Sequence, residues 1–338
     1  METIITKMNK MTNDYTETLN YSNRGTSQIT TEIMEDQEMP TTFTDNPYIG
    51  AKANPSSILV SLDDGKIIGH QGSIDKMRET GSTIKIIVGY FGLKLLGPNH
   101  NVHIYDWVLN NCEGDVSHFP GEIVTMEEAF ASGFPMSDNI LAYSIAVELG
   151  INANGGIVPT TDAEFEAAYN RGLLIMNQEL ERMGYHNIHI TDAAGFNTGD
   201  HFSYQNFGYS NDNAGASTME MAEFMTVAFN DHDFAKAFSN QNAEFQAQAF
   251  NAHSEVITTC EACGVNTNPE EFFSSNPNEG VYFIKSGTQG YKSCVMGIVT
   301  SSGERYVYVA NGIGTDGNYI MAALYDIDQA FGTNYSSS

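Results

Sequence analysis

Basic residues are scarce. The 338-residue chain carries 15 Lys plus Arg against 42 Asp plus Glu, a formal charge of −27. A surface so acidic repels nucleic acid and anionic lipid, so neither is expected as a partner. Long apolar runs are also missing. None approaches the roughly 20 residues a membrane span requires. Cysteine is sparse: four in all, too few for a disulfide framework at this length. Cys260-Glu261-Ala262-Cys263 is a lone CxxC with no second pair at zinc-ligand spacing, and reads as a local disulfide or as free thiols. Cys112 and Cys294 read as core or loop residues. The nine histidines are scattered, and His186 with His189 makes no HExxH, so no metal or other cofactor is assigned. The N-terminus, METIITKMNKMTNDYTETLN, lacks the apolar core of a secretory signal. On that reading the chain stays inside the cell, has lost a signal, or leaves by another route.

What is present is enough apolar residue, 41% of the chain, for a substantial core. Residues 1–50 are rich in Thr, Asn, Glu, Asp and Ser and read as a disordered or extended leader, with one domain over residues 51–335. Ser57–Leu62 reads as a buried strand, Asp63-Asp64-Gly65 as a turn and Lys66–His70 as the returning strand. The apolar run Ile86–Leu93 reads as a buried helix. Residues 97–121 look loop-like, and 122–131 and 139–149 helical by period. Thr161-x-x-Glu164 is a capping box for a long amphipathic helix through Glu181, stopped by Gly184. Residues 217–229 form another amphipathic pattern, whereas 239–279 is polar and without a clear period. Val281–Ile284, Cys294–Val299 and Tyr306–Ala310 read as strands, and Tyr319–Phe331 as a closing helix. Strands at both ends with helices between them predict an α/β fold: one antiparallel sheet from both termini, an inserted helical lobe, and a groove where the two meet.

Ser82 and Lys85 open the buried helix three residues apart, on one face of its first turn. A serine hydroxyl is a poor nucleophile until a base takes its proton, and a neighbouring lysine can serve if burial or another cation lowers its pKa. Ser73-Ile74-Asp75-Lys76 has the same spacing but sits in a loop. Two further clusters follow. Ser137-Asp138-Asn139 starts a helix after Gly133-Phe134-Pro135, and Lys285-Ser286-Gly287-Thr288 ends a strand. A stray Ser274-Ser275-Asn276 shows how little one short pattern means alone.

Taken in order, SxxK, SxN and K[ST]G resemble the signature set of penicillin-binding proteins and class A β-lactamases. The chain most resembles the low-molecular-mass D-alanyl-D-alanine carboxypeptidases, from about Ser57 to Phe331. The hairpin ahead of Ser82, Met176–Tyr185, Asp192-Ala193-Ala194-Gly195-Phe196, Asp200-His201-Phe202-Ser203 and Ser217–Ala222 are all similar to segments of that family. Residues 204–216 would be an insertion, and 239–279 is longer than the family pattern.

The resemblance implies a β-lactamase/transpeptidase-like fold and an enzyme acting on peptidoglycan stem peptides ending in D-Ala-D-Ala, with β-lactams as inhibitors. It implies Ser82 as nucleophile, Lys85 as general base, Ser137 as proton relay to the leaving group, and Asn139 orienting Lys85 and the substrate amide. Lys285 would balance charge, Ser286 and Thr288 would contact the substrate, and the N–H groups of Ser82 and Thr288, beside Gly287, would bind the oxyanion. Two lysines converging on Ser82 would focus positive potential for an anionic substrate. It also implies a place in the cell envelope or outside the cell. Three departures bear on specificity. KSG replaces the usual KTG but keeps the hydroxyl. Residues 311–318 lack the arginine that commonly grips a terminal carboxylate, leaving Arg305 as a substitute. Glu166-Ala167-Ala168-Tyr169-Asn170 imitates the deacylating Glu of class A enzymes but falls within the capped helix and reads as a solvated face. The alternatives are a serine β-lactamase and a binding or assembly protein with a decayed site.

Overall fold

The computed structural model describes residues 40–114, 116–130, 137–196, 215–239 and 254–337. Most of the expected leader, the Gly133–Pro135 lead-in, the Asp200–Ser203 segment, nearly all of the 204–216 insertion and part of 239–279 lie outside them. Strands β1 (Thr41–Thr42), β2 (Ser56–Ser61), β3 (Ile67–Gln71), β9 (Gly280–Gln289), β10 (Tyr291–Val299) and β11 (Arg305–Ile313) form a six-stranded sheet in the order β1-β3-β2-β11-β10-β9. All pairs are antiparallel except β1 with β3. The first three strands and the last three meet where Val60 lies opposite Val307, so both chain ends build one sheet as expected. Antiparallel sheets often leave one face wet. Here both are covered: Ile58, Val60, Val295, Val307 and Val309 pack under the helical lobe, while Leu59, Cys294, Met296, Tyr308 and Ala310 pack under the closing helix Tyr319–Phe331. That is why the central strands read as solid apolar runs rather than as alternation.

The helical lobe is centred on α1 (Lys85–Leu96) and on the helix α4 (Asn139–Ala153), both apolar around nearly their whole circumference and buried. Between them lie β5 (Asn101–His103), α2 (Asp106–Asn111), β6 (Ile123–Thr125) and a short α3 (Met126–Glu128). This corrects the loop expected at 97–121 and the first half of the helix expected at 122–131, whose residues 126–130 are helical. The β-branched Ile123-Val124-Thr125 pairs with β5, and Thr125 caps α3 through a reciprocal box with Glu128. The helix α5 (Asp162–Arg182) begins at the predicted Thr161–Glu164 box, and Gly184 follows with φ +94°. β7 (Ile188–His189) and β8 (Gly215–Ser217) pair beside β4 (Met77–Arg78), and Ser217 caps α6 (Thr218–Phe229). α7 (His232–Ser239) comes next, and the polar stretch 239–279 contains α8 (Ser254–Ala262) and α9 (Pro269–Phe272).

Residues 41–50, expected to belong to the leader, are part of the fold. Phe43 is buried under the closing helix. Asn46 donates to Ala322 O at 2.9 Å and to Asp326 Oδ1 at 2.8 Å, and the other oxygen of that buried carboxylate accepts from Ser57 and Tyr308. A few anchoring side chains dock this polar segment, which composition alone hides. Both cysteines of the CxxC are free thiols, as are Cys112 and Cys294. Among the described residues no helix is long and apolar enough to cross a membrane.

Candidate active site

The chain enters α1 through one turn of 3-10 helix, Gly81–Ile84. At three residues per turn, positions i and i+3 eclipse, which stacks Lys85 over Ser82 more directly than an α-turn would. Lys85 Nζ lies 2.9 Å from Ser82 Oγ. Glycines let three backbones crowd this turn. Gly81 has φ +51°, and a Cβ there would stand 2.6 Å from Thr288 N; a Cβ on Gly287 would stand 2.7 Å from Ser82 N. The Gly81–Ser82 turn and the Gly287–Thr288 backbone are therefore packed directly against each other. On the other side Ala194 O is 3.4 Å from Ser82 Oγ. Asp192 braces that wall: Oδ1 accepts from Ala194 N at 2.8 Å and Phe196 N at 3.2 Å, and Oδ2 accepts from Tyr143 and Tyr169.

Lys85 is fully buried. A buried ammonium is costly unless oxygens replace water. Besides Ser82 Oγ, its Nζ reaches Ser137 O at 2.7 Å, Ser137 Oγ at 3.1 Å and Asn139 Oδ1. The other end of the Asn139 amide donates to Glu113 O at 2.7 Å, which orients the side chain and points its oxygen at the lysine. Asp138 between them is the N-cap of α4, accepting from Leu141 N. Ser137 has φ +62°, the left-handed region that non-glycine residues seldom adopt. That conformation presents both its carbonyl and its hydroxyl to Lys85.

Lys285 arrives from β9. Ile284 is an extra residue relative to β10, whose Val295 and Met296 pair with Lys285 and Phe283. Such a bulge re-aims the next side chain, and Lys285 is buried here with Nζ donating to Ser286 O. Burial, and then repulsion from Lys85, push its pKa well below the usual lysine range. The pair thus holds two positive charges less readily than the sequence implied.

Not every expected residue joins the cluster. Ser286 has the hydroxyl of Tyr319 as its side-chain partner, so its own hydroxyl is engaged on the closing-helix side. Thr288 is exposed at the groove. Arg305 opposes Val299, which opposes Gly280, at the end of the sheet remote from Thr288; it is no substitute for a carboxylate-gripping arginine. The cation opposite Thr288 in register is Lys292, whose Nζ donates to Gly317 O at 2.7 Å. Sequence reasoning passed over it because only strand register places it there. Glu166 is exposed on α5, as its position in the capped helix implied.

No protein-family model matches the chain, and no curated protein matches it in sequence. Solved structures do match its fold. A D-alanyl-D-alanine carboxypeptidase from Mycobacterium tuberculosis H37Rv aligns with TM-score 0.57 and 18% identity over 88% of this chain and 97% of its own. A mutant of the Streptomyces K15 DD-transpeptidase aligns with TM-score 0.56 and 15% identity over 84% and 99%. Penicillin-binding protein 5 from Haemophilus influenzae aligns with TM-score 0.54 and 15% identity over 85% and 71%. The chain therefore has the penicillin-binding-protein, β-lactamase-like fold. That fold is what the three motifs and the strand order led one to expect.

Proposed function

We propose that the chain is a serine D-Ala-D-Ala peptidase that works through an acyl-enzyme on Ser82. The observation carrying this reading is the single hydrogen-bonded set of Ser82, Lys85, Ser137 and Asn139, with the Gly287–Thr288 backbone packed against the Ser82 turn. In the forward step Lys85, as the neutral amine with its lone pair toward Ser82, takes the Ser82 proton across 2.9 Å as Oγ attacks the penultimate D-Ala carbonyl. Charge developing on the carbonyl oxygen is met by the two N–H groups, each worth about 3 kcal/mol in such sites. Ser137, 3.1 Å from Lys85 Nζ, passes its proton to the departing D-Ala amine and takes back the one Lys85 now carries, as the C–N bond breaks and the Ser82 ester remains. Water then hydrolyses the ester, releasing the shortened peptide and restoring Ser82. Asn139 holds Lys85 in register, and Lys285 limits the positive charge at the site's back. Thr288 and Gly287 line the substrate's edge, and Lys292, beside Thr288, supplies a cation for its terminal carboxylate.

A β-lactam presents a strained amide in the same place and is expected to acylate Ser82. Because peptidoglycan lies outside the cytoplasmic membrane, the cell envelope or the exterior is the proposed site of action. The test is intact-protein mass after incubation with a penicillin, for wild type and Ser82→Ala. A lasting adduct on wild type alone supports the peptidase. Rapid loss of the drug without a lasting adduct would replace it with β-lactam hydrolysis. No adduct and no turnover would leave a binding protein with a decayed site.

A further inference from the structure

The SxN turn is gripped from behind by a histidine that the mechanism above does not use. The side chain of His118 is fully buried, with Nδ1 3.0 Å from Glu122 Oε2 and Nε2 2.7 Å from Asp138 Oδ2. Carboxylate oxygens only accept, so both ring nitrogens are donors when both contacts are made, and the ring is an imidazolium. Asp138 is engaged from two sides, because Oδ1 caps α4 by accepting from Leu141 N at 3.2 Å while Oδ2 accepts from His118 Nε2. Its neighbours in sequence are Ser137, with the left-handed backbone, and Asn139, whose amide is tied to Glu113 O on the same crossing segment.

We infer that Glu122, His118 and Asp138 form a charged clamp that positions Ser137 and Asn139 against Lys85, so that acylation depends on His118 being protonated. The inference rests on the acyl-serine reading, and it makes His118 a positioning residue rather than a catalytic one. Burial works against the charged ring. The hydrogen bonds and charges of Asp138 and then Glu122 more than offset it, and His118 titrates above the usual histidine range. The other titratable groups at this corner are Lys85 on α1, Glu113 and Cys112 on the crossing segment, and Asp192. The Cys112 thiol is pushed up by burial, then by Asp192, with Lys85 opposing, and stays neutral in the range that matters. With a folded-state pKa raised above the unfolded one, the clamp is complete below the ordinary histidine pKa and is lost as pH rises through the folded value. Once neutral, the ring leaves two carboxylates facing a single donor.

The test pairs nitrogen NMR of the His118 ring with the second-order rate of acylation by a fluorescent penicillin from mildly acidic to alkaline pH. Wild type is expected to show two ring protons at neutral pH and to lose acylation on a limb that coincides with loss of one of them. Glu122→Gln should move both to lower pH by about one unit. His118→Gln, which can bridge only one carboxylate, should lose about tenfold at neutral pH and lose that limb. Asp138→Asn keeps a helix cap and removes the charge, so it carries the test if His118→Gln does not fold. A singly protonated ring at neutral pH, or a Glu122→Gln profile that superimposes on wild type, would overturn the clamp while leaving Ser82 acylation intact. A wild type that takes no penicillin would overturn the acyl-serine reading, and the clamp's role in acylation with it.

Discussion

The two walls of the groove are built by opposite means. On one wall, Ser82 and Lys85 sit three residues apart at the start of a helix buried on nearly every side, and helical spacing puts hydroxyl and amine on one face, 2.9 Å apart. On the other wall, Ser137 and Asn139 flank a helix cap in a left-handed turn, held by contacts reaching back 20 residues to His118 and 26 to Glu113. The first wall is preorganised by repeat distance along the chain. The second is preorganised by tertiary contacts that offset a strained backbone, typically about 1–3 kcal/mol for such a residue. Damage should therefore express itself differently on the two: as lost chemistry with the fold intact on the first, and as coupled loss of position and stability on the second.

The largest effect expected is that of Lys85→Ala, which removes the proposed base. Acylation should fall by at least about a thousandfold. Circular dichroism and the melting midpoint should show a folded protein. Near wild-type acylation would sink the assignment of Lys85. Next is Gly81→Ala on the same wall. It places a Cβ 2.6 Å from Thr288 N at φ +51° and should spread the two amides. A loss of about 10²–10³ in kcat is expected, the size of one oxyanion donor, with KM little changed. Wild-type kcat in this variant would mean that the two amides do not stabilise the transition state.

On the second wall, Ser137→Ala and Ser137→Gly separate hydroxyl from backbone. Both remove the proposed relay and should slow acylation by about 10²-fold. Only Ser137→Gly relieves the left-handed strain, so it should melt higher than Ser137→Ala by the equivalent of about 1 kcal/mol. Equal melting temperatures would mean the turn stores no strain. The smallest effects concern the outlying cations. Lys292→Ala should raise KM about tenfold for a peptide ending in a free carboxylate and much less for its amide, whereas Arg305→Ala should leave both unchanged. A KM effect confined to Arg305→Ala would contradict the strand register as a guide to the carboxylate subsite.

Much of this arrangement is legible in the amino-acid sequence alone. The capping box at Thr161, the helical period over 217–229, the apolar run after Ser82 and the three closing strands depend on neighbours a few residues apart, and each lies where the pattern put it. Failures cluster where the deciding partner is distant. The strand Ile123–Thr125 exists because Asn101–His103 pairs with it. Asn46 and Phe43 belong to the fold because the closing helix, nearly 280 residues later, gives them somewhere to dock. In the site, the same division explains why Ser82, Lys85, Ser137, Asn139 and Lys285 could be named from motifs and Asp192 fell in a family-like segment, while His118 and Lys292 could not be found: each acts through contacts or register that no short pattern records.

The chain by itself determined the helix-opening Ser82–Lys85 pair, the capped helices and the membership of the closing strands, because these follow from periodicity and from caps that satisfy backbone groups locally. Only the tertiary structure decided that the Gly287–Thr288 backbone packs against the Ser82 turn and that Ser137 turns its carbonyl and hydroxyl to Lys85. It also decided that Lys285 is pushed toward its neutral form and that Arg305 stands at the wrong end of the sheet. Those outcomes depend on close packing between segments far apart in sequence, and on the desolvation that such packing imposes on whatever charge it encloses.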